Sequence, residues 1–241
     1  MEVPEHLDAL RADGPLLAAA AERAGWDARV PATDWNVREL VTHVGGVHRW
    51  AADIVASGGD SFDTEAGGAV GTAVPDDELL DWFRDGHAAL VRTLRAAPAD
   101  LDCATFLPAP SPLAFWARRQ AHETAIHRAD AERASGDPTP YRADFAQDGM
   151  AELLLGFAAR KGNAVESPAT ISLAAIDGPS WLITFGDGRI CAREDGGPAD
   201  ATIIGTSSEV YSWLWNRPSE VQIEGYGEVA ALWRAVRIRW G

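Results

Sequence analysis

Along the first ~160 residues of this 241-residue chain, apolar side chains recur at three- and four-residue spacing; only beyond them does the pattern shorten to strand-like runs. That ordering is the strongest constraint on the fold. It excludes the alternating strand and helix pattern of a parallel α/β sheet. It predicts an α+β protein: an up-and-down helical bundle over residues 1–162, followed by a small α+β domain over 163–241.

Start and stop signals divide the helical part. A first helix is expected from Glu5 to Gly25, with Gly14-Pro15 kinking or splitting it. A second starts after Asp34 or Asn36, either of which can accept from the free N–H groups of the first turn, and ends near Ser57-Gly58-Gly59. Its apolar stripe is Val37, Leu40, Val41, Val44, Val47, Ile54 and Val55. A loop follows to Val74, then a third helix from Glu78 to Ala96. Ser111-Pro112 opens a fourth, running to Ser135-Gly136, with serine as cap and proline at the first helical position. A fifth spans Phe145 to Lys161. Thr170–Leu173, Trp181–Phe185, Ala201–Ile204 and Val221–Ile223 read as strands, with Gly186-Asp187-Gly188 as a hairpin turn. Ser207 or Ser208 caps a short helix from Glu209 to Trp215, and a last helix covers Glu228 to Ile238.

Charge narrows the partners. With 21 Lys+Arg against 36 Asp+Glu the net charge is −15, which argues against a nucleic-acid or anionic-membrane surface. The N-terminus is acidic and lacks a secretory apolar core, and no apolar run approaches the ~20 residues of a membrane span. Cys103 and Cys191 are read as two unpaired thiols in a reducing cytoplasm. Lys161 is the sole lysine, an arginine-rich bias associated with GC-rich genomes such as those of actinobacteria.

The fourth helix carries the densest chemistry. Glu123 and His127 are four residues apart and share one helix face, with Cβ atoms ~5–6 Å apart, a suitable spacing for two ligands of one ion. His122 and His127 are five apart, about 140° around the helix, so His122 faces elsewhere. His43, on the apolar stripe of the second helix, is the candidate third ligand, with His48 as the alternative. A polar group on a buried bundle face must be satisfied, either by a neighbouring carboxylate or by a metal held between helices. Two imidazoles and one carboxylate suit Zn²⁺ first, with Ni²⁺, Fe²⁺ and Mn²⁺ also compatible, and three protein ligands leave positions open for chemistry. No glycine-rich nucleotide loop and no Gly-x-Ser-x-Gly elbow occurs. Arg118-Arg119 and Arg128 offer anion-binding charges, with solvated helix faces as the preferred reading.

Trp35-Asn-Val-Arg-Glu-Leu-Val-Thr-His43-Val resembles the second-helix signature of the DinB-like four-helix superfamily. Glu123-Thr-Ala-Ile-His127-Arg-Ala-Asp130 resembles the metal motif of its mycothiol-dependent maleylpyruvate isomerase branch, and the segment from Ala201 through Trp213–Arg217 to Gly225 resembles that family's sterol-carrier-like C-terminal domain. The resemblance implies His43, Glu123 and His127 as metal ligands and mycothiol as the thiol cofactor. It implies a metal-activated thiolate that isomerises or transfers onto a small electrophilic, carboxylate-bearing or other, substrate. Asp130 either supports a ligand or caps structure, the structural role being preferred, and Arg217 or Arg237 is taken as a cation for a substrate carboxylate. The expected assembly is a cytoplasmic monomer or homodimer. Two other readings stay open: a small-molecule-binding protein with a vestigial metal site, and a metal-dependent hydrolase.

Overall fold

The computed structural model describes residues 1–62, 73–160 and 168–236. Contacts divide the chain into two compact units, Met1–Thr139 and Pro140–Gly241.

The first unit contains α1 (Val3–Ala24), α2 (Val37–Ser57), α3 (Asp76–Ala96) and α4 (Pro112–Arg133). Asn36 is the cap of α2. Its side chain accepts from the Glu39 amide at 2.9 Å while Glu39 Oε2 accepts from the Asn36 amide at 2.8 Å, so two orphan donors are met reciprocally. Gly58 closes the helix in the left-handed conformation. Ser111 Oγ caps α4 by accepting from Ala114 N at 3.1 Å, with Pro112 at the first helical position. Pro15 does not split α1. The helix runs through it, held by buried Leu10, Gly14, Leu17 and Ala18 and by His87 of α3, whose Nε2 lies 2.9 Å from Leu10 O.

Cross-helix contacts fix the directions. Asp8 and Leu10 of α1 meet Arg95 and His87 of α3, so these two are antiparallel. Arg38, Gly45 and Gly86 follow the order Arg38–Asp76, Gly45–Trp82, Arg49–Gly86 along α2 and α3, which are therefore parallel. Trp50–Trp116 and His43–Glu123 make α2 and α4 antiparallel, and His6–His122 and Asp13–Arg128 make α1 and α4 parallel. The bundle thus runs up, down, down, up rather than strictly alternating. Among the described residues, α4 is buried on nearly every side: from Arg119 through Glu132 each residue is buried.

In the second unit, α5 (Ala143–Ala151) leads into one π-helical turn (Glu152–Phe157), so the regular helix is shorter than expected, and Lys161 lies outside the described residues. The sheet comprises β1 (Ala169–Ala175), β2 (Trp181–Gly186), β3 (Arg189–Glu194), β4 (Ala201–Gly205) and β5 (Gln222–Gly225), in the order β3-β2-β1-β4-β5. Only β1 and β4 pair in parallel among these neighbours, with Ile171 opposite Ala201 and Leu173 opposite Ile203. Asp187 and Gly188, with φ of 50° and 67°, form the two-residue hairpin turn between β2 and β3. α6 (Ser207–Leu214) is capped by Thr206, not by Ser207 or Ser208. Ser207 is engaged by Asp177 at 2.6 Å, and Ser208 Oγ accepts from Tyr141 N at 3.0 Å. α7 (Gly227–Leu232) ends the described secondary structure with a short 3₁₀ turn.

The contacts divide the chain after Thr139, while position 162, where the sequence suggests a boundary, lies outside the described residues. The reason for the division is Gln147 of α5, whose Nε2 donates to Ser207 Oγ at 3.0 Å and whose Oε1 accepts from Trp181 Nε1 at 3.3 Å. These bonds bind α5 to the sheet, together with Gly149, which leaves room for the Tyr211 ring of α6.

Candidate metal centre

The stripe that positions the site is Arg119, Glu123 and His127, spaced four residues apart on α4 and therefore stacked on one face. α2 lays His43 against it. Glu123 Oε1 lies 3.2 Å from His127 Nε2 and 3.4 Å from His43 Nε2. All three potential ligand atoms fall within 4.8 Å of one another. Two ligands ~2.0–2.2 Å from one tetrahedral ion are separated by roughly 3.3 Å, so the two Glu–His distances match edges of such a coordination polyhedron. The donor set and the spacing both fit a divalent ion. Glu123 is buried and the His43 side chain 24% exposed, so access is from the His43 side.

Two of the three candidate ligands are oriented by a further group. Glu123 Oε2 accepts from Arg119 NH2 at 3.1 Å. His127 Nδ1 lies 3.1 Å from Asp130 Oδ2, so Asp130, expected to be structural, touches a site histidine and fixes its ring. Arg133 stands 3.7 Å from the other Asp130 oxygen. The Trp35 ring covers the pair, its centroid 4.7 Å from His43 and 5.8 Å from His127.

The charge balance is set by these contacts. Burial alone would raise the Glu123 carboxyl, but His127, the His43 bond and Arg119 outweigh it and hold the carboxyl well below the usual range. Burial likewise opposes a charged His127, yet Glu123 and Asp130 push its pKa up to about 9.

His48 is not part of the trio. Its Nε2 lies 2.9 Å from Thr124 Oγ1, its ring packs 5.5 Å from those of Phe83 and His87, and burial holds it well below the ordinary histidine value. The five-residue offset from His43 turns it into the core. His122 faces α1, its ring 5.9 Å from that of His6. Arg217 NH1 donates to Trp215 O at 3.0 Å within the second unit, and Arg237 lies outside the described residues. Two groups escaped the reading of the sequence, Trp35 as a cover and Arg119, while Asp130 takes the supporting role that is the less favoured of its two readings. Arg119 had a signal, its four-residue offset from Glu123.

Among the described residues no helix is long and apolar enough to cross a membrane. No curated protein matches the chain. Two solved structures match it across 93% of both chains at 14% identity: a mycothiol-dependent maleylpyruvate isomerase, with a TM-score of 0.68, and a histidine-to-alanine mutant of a mycothiol-dependent maleylpyruvate isomerase, with a TM-score of 0.67. They establish a shared fold. The family model described as the mycothiol maleylpyruvate isomerase N-terminal domain matches residues 7–132, just over half of the sequence and all of the trio, and the chain belongs to that family.

Proposed function

We propose that this chain is a metal-dependent enzyme that works with mycothiol, isomerising a small electrophilic substrate or transferring the thiol to it. His43, Glu123 and His127 would hold the divalent ion, Zn²⁺ first among the candidates. The observation that carries the reading is the shared Glu123 Oε1, 3.2 and 3.4 Å from two imidazole nitrogens. The family relationship and the shared fold support the thiol and the reaction class. The ion would supply a Lewis acid that holds a thiol in its anionic form, and the thiol a nucleophile able to leave again, which isomerisation and transfer both require.

The chain's own residues prepare the site. Asp130 holds His127 by Nδ1 and keeps Nε2 directed at Glu123. Trp35 covers both imidazoles and limits water around them. The more open flank of His43 leaves a route for ligands. Cys103 and Cys191 are unpaired, in keeping with a reducing, cytoplasmic setting.

The test is bound metal by elemental analysis in the native protein, His43→Ala and Glu123→Ala, followed by Co²⁺ replacement and titration with mycothiol. One ion per chain, lost in both variants, with a sulfur-to-cobalt charge-transfer band, is the expected result. Metal without that band would favour a metal-dependent hydrolase. A folded protein that binds no metal would leave a small-molecule-binding protein.

A further inference from the structure

Arg119 reads in the sequence as half of a solvated Arg-Arg pair, yet in the fold it is 0% exposed. A buried guanidinium cannot shed its charge, and removing it from water is costly unless anions compensate. One of its partners is the carboxylate of Glu123 itself. Arg119 NH2 holds Glu123 Oε2 at 3.1 Å while Oε1 faces the two imidazoles. The second carboxylate of the site, Asp130, has Arg133 at 3.7 Å. Each of these two anions therefore has an arginine beside it, and the two carboxylates and two guanidiniums cancel in charge once His127 is neutral.

We propose that Arg119 is a positioning residue that gives the centre its preference for an anionic sulfur ligand. This rests on the metal–thiol reading above and adds two properties to it. The first is geometric. With Oε2 held by the guanidinium, Glu123 offers one oxygen, and a coordination position stays open for an incoming ligand. The second is electrostatic. With the Glu123 charge neutralised at its back, a divalent ion in the trio keeps its full charge toward that ligand, so a thiolate is favoured over a neutral thiol or water.

The experiment uses full-length Co²⁺-loaded protein and 2-mercaptoethanol as the thiol, reading the pH midpoint of the sulfur-to-cobalt band. In the native protein the midpoint is expected well below the pKa of the free thiol. Arg119→Gln, which removes the charge, is expected to raise the midpoint by about one to two pH units, a tenfold or greater loss of thiolate binding at neutral pH. Arg119→Lys, which keeps the charge and loses the fork, is expected to leave the midpoint within about half a unit while weakening Co²⁺ binding several-fold. A merely structural arginine would alter stability without moving this midpoint. Arg119→Gln that binds one Co²⁺ with an unmoved midpoint overturns the proposal and leaves the metal–thiol reading standing. Should Arg119→Gln not fold, a midpoint shift of more than one unit in Arg119→Lys overturns it equally, because the charge was retained. Native protein with no Co²⁺ or no band refutes the metal–thiol reading, and this proposal with it.

Discussion

If the proposed site takes up a divalent ion, a proton must leave it, and the contacts of His127 say which one. In the metal-free protein His127 faces an acceptor at each ring nitrogen, Asp130 at Nδ1 and Glu123 at Nε2, 3.1 and 3.2 Å away. Both nitrogens donate, so the ring is an imidazolium, and its pKa of about 9 reflects that. An ion can enter only when Nε2 gives up its hydrogen. At pH 7 only about 1% of the rings are ready, so the apparent affinity lies about 100-fold below its high-pH limit, or ~2.7 kcal/mol at 1.36 kcal/mol per unit. Affinity for Zn²⁺ should tighten nearly tenfold between about pH 7 and 8 and level off near 9. A histidine at its ordinary value of ~6.5 would give an almost flat line there. Competition against a chromophoric chelator gives the slope. Calorimetry in two buffers of different ionisation enthalpy should count close to one proton released per ion near pH 7.5. Asp130→Asn removes one of the anionic partners and should bring the break to lower pH. A flat profile from about pH 7.5 to 8.5, with less than half a proton released, would refute the argument. The linkage also sets a stability trend for the metal-free protein. Because the folded pKa is raised, the His127 contribution is complete below ~6.5 and is lost as pH rises through about 9.

Three further outcomes follow from other contacts. Burial raises Asp13 from 3.8 to about 6 despite Arg128 beside it, so the folded state binds the proton more tightly and stability falls as pH rises through that window. Between pH 7 and about 5 this one group should add about 1.3 kcal/mol, visible as a pH slope in denaturant unfolding that Asp13→Asn lacks; equal slopes would contradict it. Gln120 is fully buried on α4, and neither its amide nitrogen nor its oxygen has a partner among the described residues. Gln120→Met should therefore raise the unfolding free energy by roughly 1–2 kcal/mol, and a loss of stability would show that the amide is satisfied. Gly225 combines a φ of +83° with a Cβ direction aimed at the Asp200 carbonyl. Gly225→Ala should destabilise the protein by more than ~2 kcal/mol in thermal unfolding, and a change under ~0.5 would refute the backbone argument.

What the sequence disclosed and what it hid separate along physical lines. Helix existence was legible because caps and periodicity are local: Asn36 and Ser111 announce α2 and α4, and the stripe from Val37 to Val55 gives the buried face. Glu123 and His127 could be paired because four residues on a helix is a distance. His43 could be added only through its place on the stripe and the family resemblance, since the 80 residues separating it from Glu123 say nothing of proximity. Directions of helices, the side on which α5 packs and the choice of Thr206 as cap are tertiary outcomes. Periodicity says that α5 has an apolar face, not that Gln147 will find Trp181 and Ser207. Arg119 was misjudged for the same reason. A charge beside another charge resembles a wet surface until the helix is seen to have no wet side.

That absence of a wet side makes α4 a reading frame. One residue inserted between Arg119 and Glu123 turns everything downstream by about 100°. Glu123, His127 and Asp130 would leave the site together, and Arg128 would part from Asp13. A point change on this helix alters the contacts of one residue, whereas a single-codon insertion alters the register of every residue downstream of it. Length variation among relatives should therefore avoid the span from Arg119 to Glu132 and collect in the connections between helices.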